Sequence, residues 1–144
     1  MKARIKWIEA FCLMGESGSG HAVVLDGSPE IGGRNLGIRP MEMLLIGLGG
    51  CTTMDVLSIL RKQRQPVTDC VIEVEAQRRE DHPKIFNKIH LHFVVTGSNL
   101  KENQVKRAID LSAEKYCSVS AMLGKTAEIT HDYEIVAENT LALE

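Results

Sequence analysis

The sequence predicts one α+β domain over residues 1–144, with antiparallel sheets rather than alternating β–α–β units. Three observations lead to this prediction. Residues 70–77 and 85–96 alternate apolar and polar side chains with a period of two, which is typical of strands. Residues 102–116 repeat apolar side chains at helical spacing. Residues 41–48 are apolar almost throughout, which indicates a helix with no solvated face.

The first third of the chain predicts two strands and two loops. Residues 3–12 and 21–26 are strand-like runs, and the glycine–serine cluster of residues 15–20 predicts a hairpin with a long loop between them. A second loop covers residues 27–39. A helix then opens at Pro40, because proline has no N–H to lose in a first helical turn.

The apolar helix leaves two interpretations open at its centre. The segment Met41–Leu48 needs a core or a partner subunit to cover it, and Gly49 and Gly50 follow directly before Cys51. In one interpretation the glycines interrupt the helix, and Cys51 opens a new helical segment whose N-terminal dipole favours a thiolate. In the other the helix is continuous and the small residues allow close packing.

The two alternating runs predict an antiparallel hairpin around residues 81–84. A register centred between His82 and Pro83 keeps apolar pairs on one face and polar pairs on the other. On this register Phe86 lies on the polar face and Asn87 on the apolar face. The predicted pairs are Ala76–Ile89, Val74–Leu91, Ile72–Phe93, Gln77–Lys88, Glu75–His90 and Glu73–His92.

The last third predicts an amphipathic helix, a short helix and a final strand. Residues 118–123 form the short helix, which Ser118 could cap, so that Cys117 lies at a helix N-terminus. Residues 126–137 form the strand. The apolar stripe of the first helix comprises Val105, Ala108, Ile109, Ser112, Ala113 and Tyr116, and one side of the strand comprises Ile129, His131, Tyr133 and Ile135.

Composition excludes several classes of function. The net charge of −2 and the interspersed charges give no basic stripe for nucleic acid. The apolar run of residues 41–48 is too short to span a bilayer, so we expect no membrane partner. Residues 1–7 are basic but lack a following apolar segment, which predicts no signal peptide and a cytoplasmic location. Four cysteines are too few for a secreted disulfide scaffold.

Candidate chemistry concentrates at Cys51 and Cys117. Cys117 lies at a predicted helix N-terminus, and so does Cys51 if the glycines interrupt the helix, and a thiolate is favoured at such a position. We expect Cys12 and Cys70 to pack as small hydrophobic residues, since free cysteine is commonly buried. Sequence alone does not show whether Cys51 and Cys117 meet, because a disulfide needs Cα atoms within about 7 Å.

No metal ion and no cofactor are predicted. His90 and His92 share a strand face, where the predicted register gives them Glu75 and Glu73 as neighbours, and a solvated polar face explains this arrangement. The sequence contains no Cys-x-x-Cys pair, no phosphate-binding loop and no Gly-x-Ser-x-Gly motif.

Three segments of the chain resemble the OsmC/Ohr superfamily, and most closely its YhfA-like subgroup: Pro40–Leu45, Leu48–Thr52 and Tyr116–Val119. The resemblance implies an α+β fold around a long apolar central helix, built as an intertwined homodimer with active sites at the interface. It also implies reduction of organic hydroperoxides. Cys51 would attack the peroxide, Cys117 would condense with the resulting sulfenic acid to a disulfide, and a dithiol reductant would restore both thiols.

The chain differs from family peroxidases at two supporting positions. The family glutamate after the helix-opening proline is Met41 here, and the acid follows as Glu42, rotated by about 100° in a regular helix. The hairpin turn that carries a family arginine reads Gly15–Gly18 and has none. Three hypotheses therefore stand: a cysteine peroxidase for organic hydroperoxides, the same dimer binding a small hydrophobic ligand at its interface, and a dimeric scaffold without a ligand.

Overall fold

A computed structural model describes residues 1–138 of the chain. Within these residues it contains two three-stranded sheets and three α-helices, which confirms the α+β prediction. The chain forms two compact units that divide between Ile46 and Gly47. The prediction of a single domain over residues 1–144 stays a prediction. Residues 139–144 lie outside the described residues.

The N-terminal unit contains an antiparallel sheet in the order β1–β2–β3. Its elements are β1 (Ala3–Glu9), β2 (Cys12–Ser17), β3 (Ala22–Leu25) and a short 3₁₀ turn (Pro29–Ile31). The prediction of one strand over residues 3–12 is wrong, because the chain turns at Ala10, which has a φ of 47°. The indole N–H of Trp7 donates to the Ala10 carbonyl at 2.8 Å and closes the turn. Residues 15–17 of the predicted loop accordingly belong to β2.

The loop after β3 is organised around the buried carboxylate of Asp26. This carboxylate accepts the backbone N–H groups of Gly27 at 2.7 Å, Leu36 at 3.1 Å and Arg34 at 3.3 Å. Burial raises the pKa of Asp26, but these hydrogen bonds outweigh burial and leave the pKa below its ordinary value of 3.8. The loop also needs glycine at position 33, since a Cβ there would lie 2.1 Å from the Gly27 carbonyl oxygen.

Helix α1 (Pro40–Lys62) is continuous through Gly49 and Gly50. The interpretation of an interrupted helix is therefore wrong, and Cys51 lies inside a helix. Two glycines cost a helix interior about 1 kcal/mol each relative to alanine, and the burial of Leu48 and Val56 in α1 offsets this cost. Packing within the chain does not require both glycines, because a Cβ on Gly50 would meet no atom within 4 Å.

The second unit contains a sheet in the order β4–β5–β6, formed by β4 (Val67–Arg78), β5 (Phe86–Gly97) and β6 (Glu128–Ala137). β4 and β5 are antiparallel, and all six predicted pairs are confirmed. The predicted faces of Phe86 and Asn87 are wrong, because the register shifts between Gln77 and Arg78. The shift reverses the alternation, which leaves Phe86 buried opposite Arg78 and Asn87 exposed.

Strand β6 runs parallel to β5, so the prediction of purely antiparallel sheets is wrong. The connection comprises α2 (Glu102–Leu111), a π-helical turn (Ser112–Tyr116) and α3 (Ser118–Leu123). Parallel neighbours need such a long crossover, and the sequence pattern of β6 alone does not reveal its direction. The predicted grouping of four β6 residues on one side of the strand is confirmed, since these four are half-buried and the residues between them are exposed.

The core of the second unit comes from β5, α1 and α2. Its fully buried side chains include Ile89, Leu91, Phe93 and Val95 of β5, Val105, Ala108 and Ile109 of α2, and Leu48, Val56 and Leu60 of α1. The predicted stripe of α2 is confirmed as far as Ser112, whereas Ala113 and Tyr116 are exposed. The π-helical turn accounts for this difference, because its wider winding rotates the side chains that follow.

Helix α1 has 23 residues and a window of mean hydropathy 1.8, so length and composition alone would let it cross a membrane. Core helices of water-soluble proteins satisfy the same criteria. Here α1 supplies Leu48, Val56 and Leu60 to the core of the second unit. Other apolar side chains of α1 remain exposed in the single chain, namely Met43, Leu44, Ile46, Met54 and Leu57.

Candidate active site

Two thiols and a carboxylate form a cluster in the second unit. The Sγ atoms of Cys51 and Cys117 and a carboxylate oxygen of Asp55 all lie within 4.8 Å of one another. The structure thus brings together the two predicted cysteines, which are 66 residues apart in the chain. The sequence analysis missed Asp55. Its position four residues after Cys51, in an apolar stretch of helix, is the signal that could have identified it.

Helix α1 supplies Cys51 and Asp55 from one face, since residues four apart lie one above the other in a helix. Ser112 lies beside them and is fully buried. Its hydroxyl donates to Oδ2 of Asp55 at 3.1 Å and so fixes the carboxylate. Among the described residues, no lysine, arginine or histidine forms an ion pair with Asp55.

The π-helical turn places Cys117 against this face. The backbone N–H of Cys117 donates to the Ser112 carbonyl at 2.9 Å, which is the five-residue bond of a π-helix. Ser112 therefore holds two members of the cluster, Asp55 through its hydroxyl and Cys117 through its carbonyl. Single π-helical turns are rare and occur often at functional sites.

Cys117 lies at the N-terminus of α3, as predicted, but it is itself the N-cap in place of Ser118. Its Sγ accepts the backbone N–H of Ser120 at 3.4 Å. The backbone N–H groups of Val119 and Ser118 each favour the thiolate of Cys51 and so act to lower its pKa. The first turn of α3 therefore influences the acidity of both sulfurs.

Thr52 provides a further contact to Cys117. Its hydroxyl donates to the Leu48 carbonyl at 2.8 Å, and its oxygen lies 3.4 Å from Sγ of Cys117. A hydroxyl has one proton, so in this arrangement Thr52 accepts the S–H of the thiol. When Cys117 is a thiolate, the hydroxyl can turn and donate to the sulfur.

The two thiols differ in acidity. The N–H of Val119 favours the thiolate of Cys51, but burial and the adjacent Cys117 outweigh it and raise the pKa of Cys51. Burial disfavours the thiolate of Cys117, but hydrogen bonds from Ser120 and Thr52 outweigh burial and lower the pKa of Cys117. The pair therefore releases its first proton more readily than its second.

The other predicted supporting residues lie elsewhere. Glu42 is exposed in the first turn of α1, nine residues before Cys51, and its supporting role stays a prediction. Arg34 forms an ion pair with Glu9. Arg39 donates hydrogen bonds within its own loop.

The remaining cysteines are free thiols outside the cluster. Cys12 is buried and Cys70 is half-buried. Burial and the charge of Asp69 raise the pKa of Cys70, which disfavours its reactive thiolate form. Both positions agree with the expectation that these two cysteines serve packing.

A cavity of about 370 Å³ borders the cluster at Asp55. Ile59 and Leu111 form an apolar part of the cavity wall, and Lys62 and Arg107 line the cavity with cationic side chains. The cavity is large enough for a small organic molecule, and Asp55 is the member of the cluster that lines it.

Comparisons with known proteins identify the family. The family model described as OsmC-like protein matches residues 32–132. The chain is 51% identical to Protein YhfA of Escherichia coli (strain K12) over 137 residues, which cover 95% of this chain and 99% of that protein. The crystal structure of a hypothetical protein from Aquifex aeolicus VF5 is similar with a TM-score of 0.84 and 31% identity, over 96% of this chain and 97% of that one.

A more distant structure is an organic hydroperoxide resistance protein OsmC from Legionella pneumophila. It has a TM-score of 0.71 and 18% identity, over 92% of this chain and 95% of that one, and shows a likeness of fold. The family model covers well over half of the chain, and the Escherichia coli relative aligns along nearly its whole length. The chain therefore belongs to the OsmC-like protein family.

Proposed function

We propose that the protein is a cysteine peroxidase that reduces organic hydroperoxides. The observation that carries the proposal is the placement of the sulfurs of Cys51 and Cys117 within 4.8 Å of each other. A disulfide requires an S–S distance of about 2.05 Å, and rotation of the two side chains can close this gap. The related fold of a protein described as an organic hydroperoxide resistance protein supports the same chemistry.

Cys51 acts first on grounds of access, because it is half-buried whereas Cys117 is only 3% exposed. Acidity alone would favour the other order, since the pKa is raised at Cys51 and lowered at Cys117, but a thiol closed off from the substrate cannot attack it. Its thiolate attacks the terminal peroxide oxygen and the O–O bond breaks. The alkoxide takes up a proton and leaves as an alcohol, while Cys51 is oxidised to a sulfenic acid. The thiolate of Cys117 then attacks the Cys51 sulfur, an S–S bond forms, and the hydroxyl leaves with a proton as water.

A dithiol reductant completes the cycle by thiol–disulfide exchange, and it supplies the two electrons that the peroxide consumed. A cytoplasmic location fits this step, because that compartment keeps thiols reduced. We propose a hydrophobic hydroperoxide as substrate, since Ile59 and Leu111 form an apolar part of the wall of the cavity beside Asp55. Glu42 remains a proposed supporting residue.

We also propose that the protein is a homodimer. The exposed side chains of α1 include Ile46, which is 58% exposed, and Met54, which is 75% exposed. Apolar side chains of β1, among them Ile5 and Trp7, are exposed as well. Apolar surface of this extent on a long helix is typical of a protein interface, and a second copy of the chain would cover it.

Steady-state consumption of cumene hydroperoxide with dithiothreitol tests the peroxidase. We expect Cys51→Ser to lose activity, because it lacks the attacking sulfur. In the absence of dithiothreitol, Cys117→Ser should consume about one equivalent and stop with Cys51 as a sulfenic acid, which dimedone labels. Cys70→Ser is the matched control and should retain wild-type turnover, since Cys70 lies outside the cluster.

Equal turnover by wild type and Cys51→Ser would contradict the proposal. The second candidate, a dimer that binds a small hydrophobic ligand, would then be favoured by the cavity of about 370 Å³.

A further inference from the structure

We propose that Cys51, Asp55 and Cys117 form a binding site for a divalent transition-metal ion, zinc above all, in the reduced protein. The sequence predicts no metal site, because Cys117 lies 66 residues from Cys51 in the chain and joins Cys51 and Asp55 only in the fold. The proposal requires the geometry of the cluster alone, so it stands or falls separately from the peroxidase.

The distances fit one metal ion. The three ligand atoms lie within 4.8 Å of one another. With a Zn–S bond of about 2.3 Å, two sulfurs on a tetrahedral zinc ion are about 3.8 Å apart. Shifts of about 1 Å would therefore bring the ligand atoms to bonding distance from the metal ion. Rotation of the side chains can supply these shifts.

The donor set selects the metal. Two thiolates favour zinc and similar soft or borderline ions over magnesium and calcium, which prefer oxygen ligands. Three protein ligands leave the fourth tetrahedral position open, as in zinc sites that retain a water molecule. Cys51 is half-buried, so this position has access to solvent on its side of the cluster.

The surroundings hold the ligands in the way that metal sites require. Ligating carboxylates are themselves hydrogen-bonded in such sites, and Asp55 accepts the hydroxyl proton of the buried Ser112 at 3.1 Å. Ser112 also accepts the backbone N–H of Cys117 at 2.9 Å. One buried residue thus orients two of the three ligands.

Charge also favours a cation here. A carboxylate and two thiolates carry three negative charges, and a divalent ion reduces this to one. Among residues 1–138, none of the cationic side chains forms an ion pair with Asp55. The cations Lys62 and Arg107 line the neighbouring cavity, and they remain separate from the ligand atoms of the cluster.

Titration of the reduced full-length protein with Co²⁺ under anaerobic conditions tests the site. We expect one Co²⁺ per chain, with the visible bands of tetrahedral cobalt and a near-ultraviolet sulfur-to-cobalt charge-transfer band. Zinc should displace the cobalt stoichiometrically, since it binds such sites more tightly. A wild-type protein without the charge-transfer band at saturating Co²⁺ would overturn the proposal.

Variants assign the ligands. Cys51→Ser and Cys117→Ser should each lose about half of the charge-transfer intensity and most of the affinity. Asp55→Asn should keep the band of two thiolates and bind more weakly. Ser112→Ala should weaken binding about 10- to 100-fold, because it removes the hydroxyl that holds the Asp55 carboxylate. Cys70→Ser is the matched control and should bind as wild type. An equal loss in Cys70→Ser and Cys51→Ser would contradict the assignment.

The peroxidase assay and the cobalt titration give separable outcomes. Peroxide turnover without a cobalt–thiolate band overturns the metal site alone. A cobalt–thiolate band in a protein that leaves peroxide unconsumed overturns the peroxidase alone.

Discussion

Thr52 and Ser112 fix the thiol cluster at the scale of single residues. Thr52 contacts the sulfur of Cys117, and Ser112 contacts both Asp55 and the backbone of Cys117. Thr52 acts through its hydroxyl, and Ser112 through its hydroxyl and its carbonyl, in a buried environment where a hydrogen bond is hard to replace with water. The reactivity of Cys117 therefore depends on a few neighbours from α1 and the π-helical turn.

Thr52→Val should slow formation of the disulfide after peroxide attack. The valine keeps the shape but removes the hydroxyl that favours the thiolate of Cys117, so the pKa of Cys117 should rise. A hydrogen bond of about 1 kcal/mol corresponds to about a fivefold slower step at neutral pH. Rapid quenching and mass spectrometry of the sulfenic acid measure this rate.

Thr53→Val is the matched control for Thr52→Val. The Thr53 hydroxyl donates to the Gly49 carbonyl at 2.7 Å, as that of Thr52 does to Leu48, but among the described contacts it has none with Cys117. An equal slowing in both variants would show that the loss comes from helix α1 rather than from the contact with the sulfur.

The sequence predicts the cysteines of the site but not their partner. Cys51 and Cys117 stand out because they belong to motifs that resemble a known family. Asp55 is an isolated acid in an apolar stretch of α1, and its role depends on Ser112, which the crossover from β5 brings to it. Such a contact between distant segments leaves no mark on local sequence periodicity.

Strand β5 is the element that organises the second unit. It pairs with β4 on one side and β6 on the other, and it buries Phe93 and Leu91 in the core. The alternating pattern of β4 and β5 is long enough to fix their register, because a slip by one residue would expose the apolar face. This explains why all six predicted pairs are confirmed.

Phe93→Ala should destabilise the protein by about 3–5 kcal/mol, because it removes a large core side chain that is 1% exposed. Equilibrium unfolding in urea measures the change. Val71→Ala on β4 is the control in the same sheet, since Val71 is 45% exposed and its truncation should cost less than about 0.5 kcal/mol. Similar losses in both variants would place Phe93 outside the core.

His92 of β5 and Asp132 of β6 should make stability depend on pH. The contact at 2.6 Å raises the pKa of His92 above 6.5, with smaller contributions from Glu134 and Glu73, and lowers the pKa of Asp132 below 3.8, with help from His90. The stabilisation is complete between pH 3.8 and 6.5. It is lost as the pH rises through the raised pKa of His92, or falls through the lowered pKa of Asp132.

Urea unfolding of wild type and His92→Gln across this range measures the effect. The two proteins should differ most between pH 3.8 and 6.5 and approach each other above the folded pKa of His92. A difference that stays constant up to alkaline pH would show that His92 contributes through packing rather than charge.

The elements that the sequence mispredicts share a physical cause. The turn at Ala10 reverses the chain, and the bulge at Asn87 and the π-helical turn after Leu111 each shift a periodic pattern by about one residue. Apolar residues continue across these points, so the pattern suggests an uninterrupted strand or helix. The sequence leaves the continuity of α1 through Gly49 open for the opposite reason, because packing of the helix outweighs local propensity.

At the scale of the whole molecule, the apolar surface of α1 should hold two copies of the chain together. We expect wild type to be a dimer at micromolar concentration by light scattering coupled to size exclusion. Ile46→Glu should shift it towards monomer, because a charge placed in an apolar interface loses its hydration. Met122→Glu is the control on α3, with a side chain that is 74% exposed, and it should remain dimeric.

A monomeric wild-type protein would contradict the dimer and leave the exposed side chains of α1 without a partner. The sequence predicts this surface from the absence of a polar face in residues 41–48. It does not identify what covers that surface, since apolar packing has the same composition within a core and between subunits.

The most direct test of the account is the fate of the thiols after one exposure to peroxide. Reduced protein is mixed with a slight excess of cumene hydroperoxide, blocked with an alkylating reagent, digested and mapped by mass spectrometry. The account predicts the loss of two thiols per chain and one disulfide, between Cys51 and Cys117, with Cys12 and Cys70 alkylated. Four alkylated cysteines after this treatment would contradict the central claim that the cluster is a peroxide-reactive dithiol.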